Sequence, residues 1–208
     1  MDYSNYKQIE LRRKFWKLFG VNITVYDPLT NTVIAFINQK TLQLKPDVHI
    51  YTDATMQRSI AHLKKQAVLS TAPKYSIIES QTETEIGSLQ FNNFRSMLAR
   101  WHINVFDQMG GNFGYVQETS GFLALLRRWI GAINDLAALV LMFVPQTFDV
   151  YYTPNGATPQ LVGRITHRKN PFIVKMNLDL TQAQVAIDPR INLAICTLLC
   201  LRDINKSA

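Results

Sequence analysis

The chain has 208 residues, 47% of them hydrophobic and 11% aromatic, and carries a formal net charge of +7. That is enough apolar material for a sizeable core, and with no Gly/Ser-rich linker or polar low-complexity run it reads as a single domain over residues 1–208. The start, Met1-Asp2-Tyr3-Ser4-Asn5-Tyr6, lacks the basic and apolar regions of a signal peptide, and the two cysteines suit a reducing compartment, so a cytoplasmic protein is expected.

Residues 6–19 admit two readings. Ile9, Leu11, Phe15, Trp16, Leu18 and Phe19 occupy half of a helical wheel opposite Arg13, Lys14 and Lys17, as in a basic amphipathic helix able to lie on an anionic membrane. The same residues can form a strand whose basic edge guards against aggregation.

After them a pattern recurs: a short alternating run, a turn rich in Asp, Asn, Thr or Gly, and a second alternating run, which signals a hairpin. Asn22-Ile23-Thr24-Val25-Tyr26 precedes Asn31-Thr32-Val33-Ile34-Ala35-Phe36-Ile37, and Tyr75-Ser76-Ile77-Ile78-Glu79 precedes Glu85-Ile86-Gly87-Ser88-Leu89. Residues 53–66, lying between these pairs, show no such alternation and are expected to form a loop or short helix. The clearest copy pairs Trp101-His102-Ile103-Asn104-Val105-Phe106 with Phe113-Gly114-Tyr115-Val116-Gln117-Glu118 across Gly110-Gly111, glycines expected to supply positive φ.

Residues 121–144 are strongly apolar, but Asn134-Asp135 interrupts them, which favours a core strand over a membrane span. A further hairpin joins Phe148-Asp149-Val150-Tyr151-Tyr152 to Leu161-Val162-Gly163-Arg164-Ile165, followed by one more strand, Phe172-Ile173-Val174-Lys175-Met176.

The last element is the most telling. From Ile191 to Leu201 only Asn192 and Thr197 are polar, and the apolar residues point to every side of a helix axis. A surface helix shows one apolar stripe, whereas this one must be enclosed. At about 1.5 Å per residue it extends only about 17 Å, short of the roughly 30 Å hydrocarbon core, so a protein sleeve is expected in place of lipid. The fold class predicted is therefore mainly β, a closed antiparallel barrel wrapped around a central helix at 191–201.

Catalytic and metal-binding chemistry is sparse. The four histidines, His49, His62, His102 and His167, lack metal-ligand spacing, and Cys196 and Cys200 sit in an apolar helix where thiols are unreactive. Gly110-Gly111-Asn112-Phe113-Gly114 lacks the Lys-Ser or Lys-Thr of a phosphate loop. These absences predict a protein that is not an enzyme and needs no cofactor or metal. Basic clusters remain: Arg12-Arg13-Lys14, Lys64-Lys65, Arg127-Arg128 and His167-Arg168-Lys169. No nucleic-acid motif accompanies them, so nucleic acid is not the expected partner.

Residues 101–107, then Gly114-Tyr115-Val116-Gln117-Glu118-Thr119-Ser120, Ala124-Leu125-Leu126-Arg127-Arg128, and finally Asp188-Pro189-Arg190-Ile191-Asn192-Leu193-Ala194 resemble the phospholipid scramblase and LURP-one-related group, relatives of the tubby C-terminal domain. The resemblance spans nearly the whole chain and implies a closed barrel around a hydrophobic C-terminal helix. It also implies a link to phospholipid. The chain lacks the proline-rich extension, acylated cysteine cluster and calcium segment of scramblases, which argues against lipid transport.

The expected activity is binding to anionic phospholipid headgroups at a membrane periphery, without a transmembrane span. Arg12, Arg13, Lys14 and Lys17 are the first candidate site, and Arg127 and Arg128 the second. The alternative is a soluble interaction or scaffold barrel with a protein partner.

Overall fold

The computed structural model describes residues 6–14, 21–39, 47–66, 72–92, 101–121, 144–153, 157–169, 173–183 and 187–202. Twelve strands appear in chain order: β1 (Gln8–Lys14), β2 (Val21–Tyr26), β3 (Val33–Gln39), β4 (Asp47–Tyr51), β5 (Ser59–Lys65), β6 (Lys74–Glu79), β7 (Glu85–Phe91), β8 (His102–Phe106), β9 (Asn112–Glu118), β10 (Gln146–Tyr152), β11 (Gln160–Lys169) and β12 (Ile173–Asp179). Each pairs antiparallel with its sequence neighbours, and β1 closes the barrel on β12 from Gln8↔Asp179 to Lys14↔Ile173. Closure removes the sheet edges that an open meander of this length would leave unpaired.

The terminal helix, α1 (Pro189–Arg202), enters this barrel. Asp188 caps it, its Oδ1 accepting from the Arg190 amide at 2.9 Å, and Pro189 occupies the first turn, where its missing N–H costs nothing. All residues from Ile191 to Leu201 are buried, and α1 touches β5, β7 and β12 from different sides. Its two polar residues do not mark a wet face: Thr197 is fully buried and donates back to the Leu193 carbonyl at 2.6 Å. The inward residues of the strands meet the helix by period-two alternation, as in Ile23 and Val25, Val48 and Ile50, and Val174, Met176 and Leu178.

Three sequence expectations need adjustment. Residues 53–66 are not a loop or helix throughout, because 59–65 form β5. There the inward positions are only Ala61 and Leu63, flanked by His62 and two lysines, so the strand signal is faint until β4 and β6 pair with it. Residues 8–14 settle as strand, with Ile9, Leu11 and Arg13 buried. At the β8–β9 turn Gly110 has φ +82°, while at other turns Asn31, Met56 and Glu83 adopt positive φ without being glycine. The apolar stretch within 122–143 and the turn at 154–156 lie outside the described residues.

The up-and-down order gives the barrel two unlike ends. The turns at 27–32, 52–58, 80–84 and 107–111 gather at one, where α1 enters. The last residues of β1, β5 and β11 and the first of β6 and β12 gather at the other, where α1 leaves.

Candidate anion-binding face and end of the barrel

The first predicted cluster is divided by strand alternation. Arg13 turns inward and is only 7% exposed, and its Nη1 donates to the Cys200 carbonyl at 3.1 Å. A cation there satisfies a terminal carbonyl and faces the negative end of the helix dipole. Arg12 turns outward, pairs with the Glu10 carboxylate, donates from Nη2 to Asn31 Oδ1 at 2.9 Å and lies 4.1 Å over the Tyr26 ring. Lys14 belongs to β1, but its side chain, like Lys17, Arg127 and Arg128, lies outside the described residues.

The register assembles a different set. Arg12 stands opposite Lys175 on β12, and Lys175 stands opposite Arg168 on β11. These three outward residues form one rung across three strands. Arg168 is exposed, and the Lys175 side chain is 42% exposed with Nζ 4.0 Å from Glu10 Oε1. Lys64 and Lys65 close β5 at the same end. Sequence reasoning noted Arg168 but not Lys175 beside Arg12. Alternation along β12 marks Lys175 as outward, but only barrel closure makes it Arg12's neighbour.

The opposite end carries acid. Asp27, Asp53, Glu79, Glu83, Asp107 and Asp179 all sit in or beside its turns. Four of them use a nearby threonine hydroxyl: Thr30 donates to Asp27 at 2.7 Å, Thr82 to Glu79 at 2.8 Å and Thr181 to Asp179 at 2.7 Å, with Thr55 bonded to Asp53. Those hydroxyls are the main reason that all four carboxyls are held below their ordinary acidity range, the amides of Leu29, Thr55 and Thr181 adding to it at the three aspartates. The cations at this end include Arg190, which is bonded to Asp188 and Glu79, together with Lys7 and Arg58.

Among the described residues carboxylates predominate where α1 enters, and Lys and Arg predominate where it leaves, beside Asp47 and the buried Glu118, an arrangement that also complements the dipole of α1. Among the described residues no group of three His, Cys, Asp or Glu is placed to hold a metal ion. The histidines pack instead: His49 stacks on His62 at 5.3 Å between ring centroids, and His102 on Tyr115 at 5.0 Å. No helix among the described residues is long and apolar enough to cross a membrane. No protein-family model matches the chain, and no curated protein matches it at a significant level.

Proposed function

We propose that this chain is a non-enzymatic, scramblase-like peripheral protein that binds anionic phospholipid surfaces on the cytoplasmic side. The single observation supporting this reading is the separation of charge among the described residues, with Arg168, Lys175 and the lysines of β5 toward one end and the turn carboxylates at the other, while the Arg12 guanidinium beside them leans back toward Glu10 and Asn31. Each Lys or Arg near an anionic leaflet contributes about 1 kcal/mol within a Debye length of about 8–10 Å. The acidic end is repelled, so the same field orients the barrel with the helix exit toward the lipid. Arg13 is excluded from this surface, being committed to α1.

Co-sedimentation with vesicles tests the reading. Binding is expected to vesicles containing anionic lipid, to be absent with purely zwitterionic ones, and to weaken as salt rises. The double variant Arg168→Glu, Lys175→Glu, both outward on the barrel wall, is expected to lower partitioning about tenfold or more while the thermal transition stays in place. Equal binding to neutral vesicles, or insensitivity to both salt and the double variant, would sink the proposal.

A second reading, an interaction barrel for a protein partner, draws on two exposed apolar side chains at the acidic end. Leu29 is 83% and Met109 97% exposed, each held at a turn by its amide donating to an aspartate, Asp27 or Asp107, at 2.9 Å. Carboxylates around them oppose an anionic membrane. This reading takes over if vesicles are ignored.

A further inference from the structure

At the acidic end, β11, β12 and the start of β1 border a groove of about 390 Å³ on the barrel wall. That lies within the roughly 300–1,000 Å³ span of small-molecule sites. Its polar lining includes Gln8, Arg164, Thr166, Asn177 and Asp179, and its apolar lining includes Leu161 and Pro28.

The hydrogen-bonding state of these groups points to the ligand. Asp179 is fixed by Thr181, whose amide and hydroxyl both donate to Oδ1, and by Gln8, whose Nε2 donates to Oδ2 at 3.1 Å. Carboxylate oxygens so held keep further lone pairs for an incoming donor. Arg164 spends Nε on Asp149 at 2.9 Å, with its side chain 55% exposed, and among the described residues its terminal nitrogens make no hydrogen bond. Asn177 Oδ1 is buried and accepts no hydrogen bond among the described residues, a state that ordinarily costs free energy until a donor arrives.

With Arg164 paired to Asp149, Asp179 is, among the described residues, the groove's one carboxylate without a cationic partner, and it already accepts from three neutral donors, so the groove disfavours an anion and offers no second acid to hold a cation. Planar amide, carboxylate and guanidinium groups beside a threonine hydroxyl match vicinal hydroxyls, each of which donates and accepts. The Leu161 side chain, 41% exposed, and Pro28 offer an apolar wall to a ring's C–H face. We infer that this groove binds a neutral saccharide of one or two sugar units, a site separate from the basic rung and not dependent on lipid binding.

The test is titration of the full chain by calorimetry and by NMR with glucose, galactose, N-acetylglucosamine, maltose and lactose, with inorganic phosphate as the anionic control. Saturable binding of at least one sugar is expected. Its affinity should fall about tenfold in Asn177→Leu, as for loss of one well-made hydrogen bond, and remain unchanged in Arg168→Glu, Lys175→Glu. If Asn177→Leu does not fold, Thr166→Val serves the same purpose with the same expected direction. The inference is overturned if none of the five sugars perturbs the protein, if phosphate binds more tightly than every sugar, or if the groove variant leaves sugar affinity intact.

Discussion

The guanidinium of Arg13, on the first strand, donates to the main-chain carbonyl of Cys200, in the last helix, at 3.1 Å. One hydrogen bond thereby ties the two ends of the chain together inside the barrel, at the point where α1 leaves its sleeve.

Replacing Arg13 with Met keeps the apolar stem and removes the charged donor. The expected loss is about 2 kcal/mol of folding free energy, the scale of a buried hydrogen bond to a charged group at the negative end of a helix. Urea unfolding is expected to show a lower midpoint with an unchanged slope. An unchanged midpoint would mean that another group satisfies Cys200. Charge reversal at Arg13 therefore tests folding and not lipid contact.

The helix is expected to behave as the core of the domain. Leu198, 4% exposed, has no surface role, and Leu198→Ala is expected to cost about 2–5 kcal/mol through lost burial and a residual cavity. Truncation after Arg190 removes the entire buried segment and should abolish the cooperative thermal transition. A truncated chain that still melts cooperatively with β-type circular dichroism would show that the barrel stands without its helix.

Cys196 and Cys200 are both buried in α1, and burial pushes the Cys196 thiol well above its ordinary range. Native protein at neutral pH is expected to resist a thiol reagent and to react at both positions only after denaturant is added. Rapid labelling before unfolding would contradict enclosure of the helix.

The turn carboxylates set the acid limit. Asp27, Asp53, Glu79 and Asp179 have folded pKa values below their ordinary 3.8 (Asp) and 4.5 (Glu), chiefly through threonine hydroxyls. A depressed folded value means that the unfolded chain takes up protons first as pH falls. Their contribution is therefore complete above the ordinary values and disappears as pH drops through the folded ones. The part of the stability that these four carboxylates supply is expected to be constant from neutrality to about pH 5 and to fall below about pH 4. The double variant Thr30→Val, Thr82→Val should flatten that acid limb, as read from melting temperature against pH; an acid limb identical to the parent's would remove the threonines as its cause.

Local pattern in the chain was sufficient for several elements. Alternation with Asp, Asn, Thr and Gly turns marked the β2–β3, β6–β7, β8–β9 and β10–β11 hairpins, because period-two burial is written residue by residue. The apolar circumference of 191–201 required an enclosing sleeve, since no one-sided packing could bury it. β5 escaped because Ala61 and Leu63 alone carry its inward face, and β1 stayed ambiguous because Arg13 occupies an inward position that a pattern reader assigns to solvent.

What only the tertiary structure decided is neighbourhood across strands. Closure of β1 on β12 places Lys175 between Arg12 and Arg168, separates Arg13 from Arg12 by turning it to the helix, and borders the groove from both sides of the seam. The physical reason is that a strand's own sequence specifies which face each side chain takes, while register and closure are set by the collective fit of twelve strands around one helix. Charge placement follows the same division: the chain alone determines that it is basic, and the up-and-down winding decides that, among the described residues, most of the turn carboxylates collect at the end opposite Arg168 and the lysines of β5.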